Sequence, residues 1–169
     1  MAKRIVINDT SCLVDLRKGG LIEPMLALPF RFVVTFNVSV SELLDFGEAE
    51  WQRLEALGME TIDAPGEQVQ EAGNLMAQHR KLSFEDSLNF VVARANRLSI
   101  LLTGDRALRT VAENNGIEVH GILWIVEQLL EWRRVDRSDL ISALERWRAD
   151  PTVFVPNDLI DNTVAKCRI

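Results

Sequence analysis

Short apolar runs alternate with segments of helical periodicity along most of this chain. The runs are far shorter than the roughly 20 residues that span a membrane, so they indicate buried strands. They lie at about 4–8, 30–36, 59–62, 98–102 and 117–120. Between them, apolar residues recur every three or four positions, which predicts helices. These helices lie at about 12–18, 37–46, 48–58, 67–80, 86–95 and 105–115. Because parallel strands need long crossover connections, the alternation predicts a three-layer α/β/α fold around a parallel sheet of about five strands.

The last part of the chain is helical by the same criterion. An apolar stripe begins at Ile122, a second helical segment covers about 138–148, and Asp150-Pro151 interrupts the pattern before a short amphipathic segment at 156–169. We expect one domain over residues 1–135. Residues 136–169 are expected to form a C-terminal helical extension that packs on it.

Acidic residues stand at the junctions between predicted strands and helices. Asp9, Glu42 and Asp105 each follow a strand, and Asp86 opens a helix that leads into the next strand. In a parallel sheet these junctions share one edge, the edge where α/β proteins bind ligands. The sequence therefore predicts that four carboxylates lie close together.

Two interpretations of these acids are open. Asp9 and Asp105 can each cap the helix that follows, and the segments Ser39–Glu42 and Ser83–Asp86 match the capping box. Together, however, the four acids bring like charges into one crevice with no Lys or Arg among them, and such a cluster repels itself unless a cation binds. Carboxylate and water ligands favour Mg²⁺ or Mn²⁺, so the four acids as a set indicate a metal site.

The same residues resemble the PIN-domain nucleases. The matching motifs are Asp9-Thr10-Ser11, Glu42 within 40–44, Asp86 within 82–87, and Thr103-Gly104-Asp105 followed by Arg106-Ala107-Leu108-Arg109. The likeness covers about residues 4–125. It implies a metal-dependent ribonuclease, usually directed at single-stranded RNA, and many small prokaryotic members are toxins of toxin–antitoxin pairs, the VapC-like type.

We expect each residue of this site to have a specific role in phosphodiester hydrolysis. Asp9, Glu42, Asp86 and Asp105 are the expected catalytic residues and ligands of Mg²⁺ or Mn²⁺, which lower the pKa of an attacking water. Thr10 and Thr103 are expected to orient that water or a phosphate oxygen. Four arginines flank the acids in sequence and are expected to contact phosphates, although solvated helix faces explain them equally well. They are Arg94, Arg97, Arg106 and Arg109.

Composition narrows the range of partners and locations. A net charge of −6 argues against a protein that coats nucleic acid, yet it is compatible with an enzyme that contacts a short stretch of a strand. The start Met-Ala-Lys-Arg leads directly into a strand rather than a signal peptide, so we expect a cytoplasmic protein with no membrane partner. The cysteines, Cys12 and Cys167, lack metal-ligand spacing, and the isolated His79 and His120 indicate ordinary surface or packing roles.

The same fold and acids are compatible with two other functions. A non-catalytic PIN-like module for protein interactions is one alternative, and a DNA nuclease or phosphatase with the same acidic metal site is another. Apolar helices that carry Trp51 and Leu54, and Trp124 and Trp132, predict a homodimer. The resemblance further implies single-stranded RNA as the substrate and a cognate antitoxin protein as a partner.

Overall fold

The computed structural model describes residues 2–35 and 46–169. Its centre is a sheet of five parallel strands in the order β3-β2-β1-β4-β5. The strands are β1 Ile5–Asn8, β2 Arg31–Thr35, β3 Glu60–Ile62, β4 Ile100–Leu102 and β5 Glu118–His120. Since β1 lies in the middle with β4 as its neighbour, the residues that follow these two strands meet at one edge.

Helices follow or join the strands throughout the described residues. They are α1 Thr10–Lys18, α2 Ile22–Leu26, α3 Glu48–Ala56, α4 Gly66–Gln78, α5 Phe84–Ala95, α6 Arg106–Asn114, α7 Ile122–Glu131, α8 Arg137–Ala149 and α9 Asn157–Arg168. Strands and helices alternate as predicted. The exception is the short helix α2, which the sequence pattern did not indicate.

The alternating side chains of the central strands divide the core between the two faces of the sheet. Val6 and Ile100 belong to an apolar cluster with α1, α2, α3, α7, α8 and α9. Ile7 and Leu101 point the other way, into a cluster with α4, α5 and α6. All four side chains are fully buried. The predicted three-layer α/β/α architecture is confirmed.

The C-terminal helices belong to the first of these clusters. Trp147 on α8 is buried and donates a hydrogen bond from Nε1 to the carbonyl of Asp15 on α1 (2.7 Å). A Cβ atom at Gly19 would lie 2.9 Å from Trp147 Nε1, so the close approach of α8 to the end of α1 requires glycine there. The division of the chain at residues 135 and 136 stays a prediction.

The strand predicted over 98–102 begins only at Ile100. Leu98 lies in the turn before it, with a φ of 66° and 72% of its surface exposed, so the extended strand cannot include it. The predicted helix at 37–46 falls almost entirely outside the described residues.

The apolar helices expected to mediate a dimer differ in exposure. Trp51 and Leu54 are buried within this chain, so Trp132, 47% exposed, is the residue of the two apolar stripes that faces solvent most. Within the described residues, no helix is long and apolar enough to cross a membrane.

Candidate active site

The carboxyl ends of β1 and β4 form the base of the candidate site. The backbone N–H of Asp9 donates to the carbonyl of Leu102 (2.9 Å), and that of Thr103 donates to the carbonyl of His120 on β5 (2.9 Å). These bonds continue the sheet ladder one residue past each strand. Asp9 and Thr103 are therefore held in register at the edge where α1 and α6 begin.

Asp9 is the buried acid of the site. It is 6% exposed and lies at the N-cap of α1, where its Oδ1 accepts a long hydrogen bond from the N–H of Ser11 (3.5 Å). Its Oδ2 accepts hydrogen bonds from the hydroxyls of Thr103 (2.8 Å) and Ser11 (3.2 Å). The sequence-based capping role is thus real, and it leaves the carboxylate fixed by three donors from the chain.

Thr103 links the two aspartates that follow strands. Its fully buried hydroxyl donates to Asp9 and accepts from the backbone N–H of Asp105 (3.1 Å). Asp105 is the N-cap of α6, and its Oδ1 accepts from the N–H of Leu108 (2.8 Å). One hydroxyl therefore sets the position of the Asp105 backbone relative to the Asp9 carboxylate.

The first turn of α5 brings two further acids to this edge. Asp86 forms the predicted capping box: its Oδ2 accepts from the N–H of Ser83 (2.8 Å), and its own N–H donates to Ser83 Oγ (3.0 Å). Glu85 accepts hydrogen bonds from the hydroxyl and the backbone N–H of Thr10 at the start of α1. Glu85 therefore joins the acidic edge, a role that sequence analysis did not assign to it.

Electrostatic interactions show that three of these acids are close together. The pKa of Asp9 is raised from 3.8 to about 6, chiefly because burial disfavours the charged carboxylate. The hydrogen bond from Thr103 lowers this pKa, whereas the negative charges of Glu85 and Asp86 raise it further. Asp9, Glu85 and Asp86 thus form an electrostatically coupled group, and we call this group with Asp105 the acidic edge.

The chemistry of the acidic edge fits a divalent cation. Within the described ranges, no Lys, Arg or His forms an ion pair with any of its four acids. Their oxygens are hard ligands of the kind that Mg²⁺ and Mn²⁺ prefer. In residues 2–35 and 46–169, however, no three His, Cys, Asp or Glu side chains are already grouped to hold an ion.

Two buried asparagines lie next to the acidic edge in the chain. Asn8 precedes Asp9 and donates to the carbonyl of Val33 (2.9 Å), while Asn89, one helical turn after Glu85, accepts from the hydroxyl of Thr35 (2.9 Å). Asn8 Oδ1 and Asn89 Nδ2 have no hydrogen-bond partner in the part of the chain that the structure describes. Buried polar atoms are usually paired, so these two atoms are the exceptions beside the acidic edge among the described residues.

The four predicted phosphate-binding arginines do not lie together. Arg94 is near the far end of α5, eight residues and about 12 Å along the axis from Asp86, where it pairs with Glu71 and lies over the Phe90 ring. Arg97 lines a pocket with Arg4 and Glu118 at the amino ends of the strands. Arg94 and Arg97 flank the acids in sequence but lie away from them in the fold, because α5 runs away from the acidic edge. Their expected contact with phosphates stays a prediction.

The other two arginines do lie at the carboxyl edge of the sheet. Arg106 is exposed in the first turn of α6, directly after Asp105. Arg109 is half-buried, and its guanidinium donates to Glu113 (3.1 Å) and to the carbonyl of Val119 (3.3 Å) beside Thr103 and Gly104. Arg106 thus keeps its donors available near the acids, whereas those of Arg109 are partly used within the chain.

Glu42, the remaining predicted ligand, lies outside the described residues. Thr10 and Thr103, predicted to orient water or phosphate, instead donate to Glu85 and Asp9 in this structure. The signal for Glu85 was present in the sequence as an acid beside Asp86. The capping box turns the Asp86 side chain back towards Ser83. Glu85, one residue earlier on the helix, therefore faces a different direction and contacts Thr10 at the start of α1.

Comparison with protein families agrees with this fold. A family model described as "DUF3368: PIN domain" matches residues 5–168. No curated protein matches the chain. Since the family match covers nearly the whole sequence, the chain belongs to the PIN-domain family, whose members are generally nucleases that use divalent metal ions.

Proposed function

We propose that this protein is a metal-dependent endoribonuclease that hydrolyses phosphodiester bonds in single-stranded RNA, with Mg²⁺ or Mn²⁺ as its cofactor. The observation that carries the proposal is the buried Asp9 carboxylate beside Glu85 and Asp86, with no basic side chain paired to this group in the described residues. A folded protein keeps such a self-repelling cluster when a cation or a charged substrate compensates it.

The residues of the acidic edge have distinct roles in this proposal. Asp9, Asp86 and Asp105 hold the ion together with Glu42, and Glu85 adds to the negative field at the start of α5. When bound, the ion polarises the scissile phosphate and lowers the pKa of the attacking water. Thr103 holds the Asp9 carboxylate in place and ties it to Asp105. Thr10 fixes Glu85, and Arg106 and Arg109 contact the phosphates next to the reacting one.

We further propose that the protein acts as the toxin of a toxin–antitoxin pair of the VapC-like type and forms a homodimer. The family resemblance of the Asp9, Glu42, Asp86 and Asp105 motifs supports the toxin assignment, and the exposed Trp132 supports a further contact. An antitoxin that places a basic side chain in the acidic edge would inhibit the enzyme. Purified protein should sediment as a dimer at tens of micromolar, and a monomer would remove that part of the proposal.

The activity is tested by incubating partner-free protein with end-labelled single-stranded RNA, duplex RNA, single-stranded DNA and a small phosphomonoester. Cleavage of single-stranded RNA should require Mn²⁺ or Mg²⁺, stop in EDTA and fall by orders of magnitude in Asp9→Asn and Asp105→Asn. Asp136→Asn is a matched control, because Asp136 is also a helix N-cap but its side chain makes no capping hydrogen bond. Cleavage of DNA or the monoester alone would replace the RNA assignment, and intact substrates throughout would favour a non-catalytic interaction module.

A further inference from the structure

A cleft of about 770 Å³ opens beside Asp105. One wall is the end of α4 and the connection to α5, which contributes His79, Arg80 and Lys81. The other wall is the first half of α6, which contributes Arg106 and Thr110. Asp105 belongs both to this cleft and to the acidic edge, so a ligand in the cleft lies next to the proposed reacting group.

The cleft concentrates positive charge in a chain whose net charge is −6. Arg80, Lys81 and Arg106 are exposed, and none of the three forms an ion pair with a residue of the described ranges. Several other surface cations, by contrast, are paired within the chain, as Arg4 is with Glu118 and Arg31 is with Glu60. The three cations of the cleft are therefore available to an anion from outside.

The connection that carries Arg80 and Lys81 is firmly anchored. Leu82 is buried in the cluster beneath α4 and α5, and its N–H donates to the carbonyl of His79 (3.0 Å). Ser83, the next residue, is fixed by the capping box with Asp86. The backbone that carries Arg80 and Lys81 is thus fixed before a ligand binds, so only the freedom of the two side chains is lost on binding.

The charges around the cleft restrict the kind of ligand that it can bind. The acidic edge repels an approaching phosphate, so a polyanionic substrate can reach Asp105 only if nearby cations offset that repulsion. A small anion would need only one contact, whereas cations on both walls of a cleft of about 770 Å³ are suited to successive phosphates of a chain. Arginine and lysine are the usual partners of such phosphates.

We propose that this cleft, with Arg80 and Lys81 on one wall and Arg106 on the other, binds the phosphodiester backbone of single-stranded RNA next to the bond that is cut. The inference rests on the proposed ribonuclease function and names the path of its substrate. Arg80 and Lys81 act in binding and positioning, since neither belongs to the acidic edge.

The proposal is tested with Arg80→Gln/Lys81→Gln against Arg133→Gln/Arg134→Gln. The control removes the same charge from two exposed arginines that follow α7, at the opposite end of the sheet from Asp105. Both pairs are introduced into the Asp9→Asn chain, which leaves RNA intact, and binding of a labelled single-stranded RNA is followed by fluorescence anisotropy in Mn²⁺ at several salt concentrations. Both pairs are also introduced into the chain with Asp9 present to measure cleavage.

The cleft variant should bind RNA about three- to tenfold more weakly than the control, the effect expected for two exposed charge contacts. The slope of log affinity against log salt concentration should become shallower by roughly 1.4, because each phosphate contact with a single strand contributes about 0.7 to that slope. In cleavage, KM should rise with kcat unchanged, as for lost binding contacts.

The possible outcomes separate the two proposals. Equal RNA binding by both variants overturns the cleft assignment and leaves the nuclease intact. Weaker binding by the cleft variant, together with no RNA cleavage by the otherwise unchanged chain that retains Asp9, supports RNA binding in the cleft and overturns the nuclease. An equal loss for single-stranded DNA would extend the ligand to any single strand, and failure of the Asp9→Asn chain to bind either strand would overturn the cleft.

Discussion

At the scale of single residues, Thr103 connects the two strand ends that carry the acids. Its fully buried hydroxyl donates a hydrogen bond to Asp9 and accepts one from the backbone N–H of Asp105. A hydroxyl that acts as donor and acceptor at once is restricted to one orientation. Thr103 thereby helps to hold Oδ2 of Asp9 at the end of β4.

Replacement of Thr103 should change the titration of its partner. The hydrogen bond from Thr103 lowers the pKa of Asp9, so Thr103→Val should raise this pKa above its value of about 6. Thr103→Ser retains the hydroxyl and should leave the pKa near 6. Carboxyl chemical shifts measured by NMR during a pH titration distinguish the two variants. An unchanged pKa in Thr103→Val would show that this hydrogen bond is absent in solution.

The charge of Asp9 should also make the protein less stable as the pH rises. The pKa of Asp9 is about 6 in the folded state, above the ordinary 3.8, so the folded state binds the proton more tightly than the unfolded state does. The free energy of unfolding therefore decreases as the pH rises from 3.8 to about 6. The loss is at most about 3 kcal/mol. In EDTA, Asp9→Asn should therefore be more stable than the parent at pH 7.5, and the gain should shrink at pH 4.5.

Urea unfolding at the two pH values checks this expectation. Asp136→Asn again serves as the control and should show no such pH-dependent gain, since its side chain makes no capping hydrogen bond. Addition of Mn²⁺ should stabilise the parent and reduce the advantage of Asp9→Asn. A variant that is less stable than the parent at both pH values would contradict the electrostatic account.

At the scale of elements, helix starts determine where the acids lie. Periodicity and capping residues were enough to place Asp9, Asp86 and Asp105 at the starts of α1, α5 and α6, because these signals are local. Glu85 was not predicted, since its contact with Thr10 depends on how α5 packs against α1. Such rotation about a helix axis is set by tertiary packing.

The direction of α5 explains in the same way why Arg94 and Arg97 lie away from the acids. Closeness in sequence to Asp86 favoured Arg94 and Arg97 as phosphate contacts, but a helix moves about 1.5 Å per residue away from its start. Arg106 remained near the acids because it lies in the first turn of its helix. The sequence thus predicts which edge of the sheet carries the site, and residues beyond a helix's first turns must be placed by the fold.

Glu85→Gln isolates the contribution of the unexpected acid. The amide keeps an oxygen acceptor for Thr10 and removes the charge, so the pKa of Asp9 should fall because one of the charges that raise it is lost. Binding of Mn²⁺ should weaken for the same reason. Titration calorimetry and the NMR titration of Asp9 measure both effects.

Glu67→Gln is the matched control for that variant. Glu67 is exposed and occupies the same position in the first turn of α4 that Glu85 occupies in α5. It should change neither the Asp9 titration nor Mn²⁺ affinity. Equal effects of the two substitutions would mean that Glu85 acts only through the overall charge of the protein.

At the scale of the whole molecule, the parallel topology and the C-terminal helices act on the same element. Strand order places β1 in the centre, and α1, which begins at Asp9, packs beneath α8 and contributes Leu13 and Leu16 to the cluster that α8 and α9 complete. The acidic edge therefore rests on a helix whose buried face depends on residues 136–169.

Removal of residues 136–169 should consequently destabilise the fold as a whole. The truncated chain 1–135 would lose Leu140, Leu144 and Trp147 from the apolar cluster, each buried in the complete chain and contributing about 1.5–3 kcal/mol per side chain. Losses of that size approach the 5–15 kcal/mol that stabilises a typical domain. Thermal unfolding followed by near-ultraviolet circular dichroism should show a cooperative transition for the full chain and none for 1–135. Residues 136–169 supplied as a separate peptide should restore part of the signal, whereas a cooperative transition of 1–135 alone would show that the extension is an accessory to an independent domain.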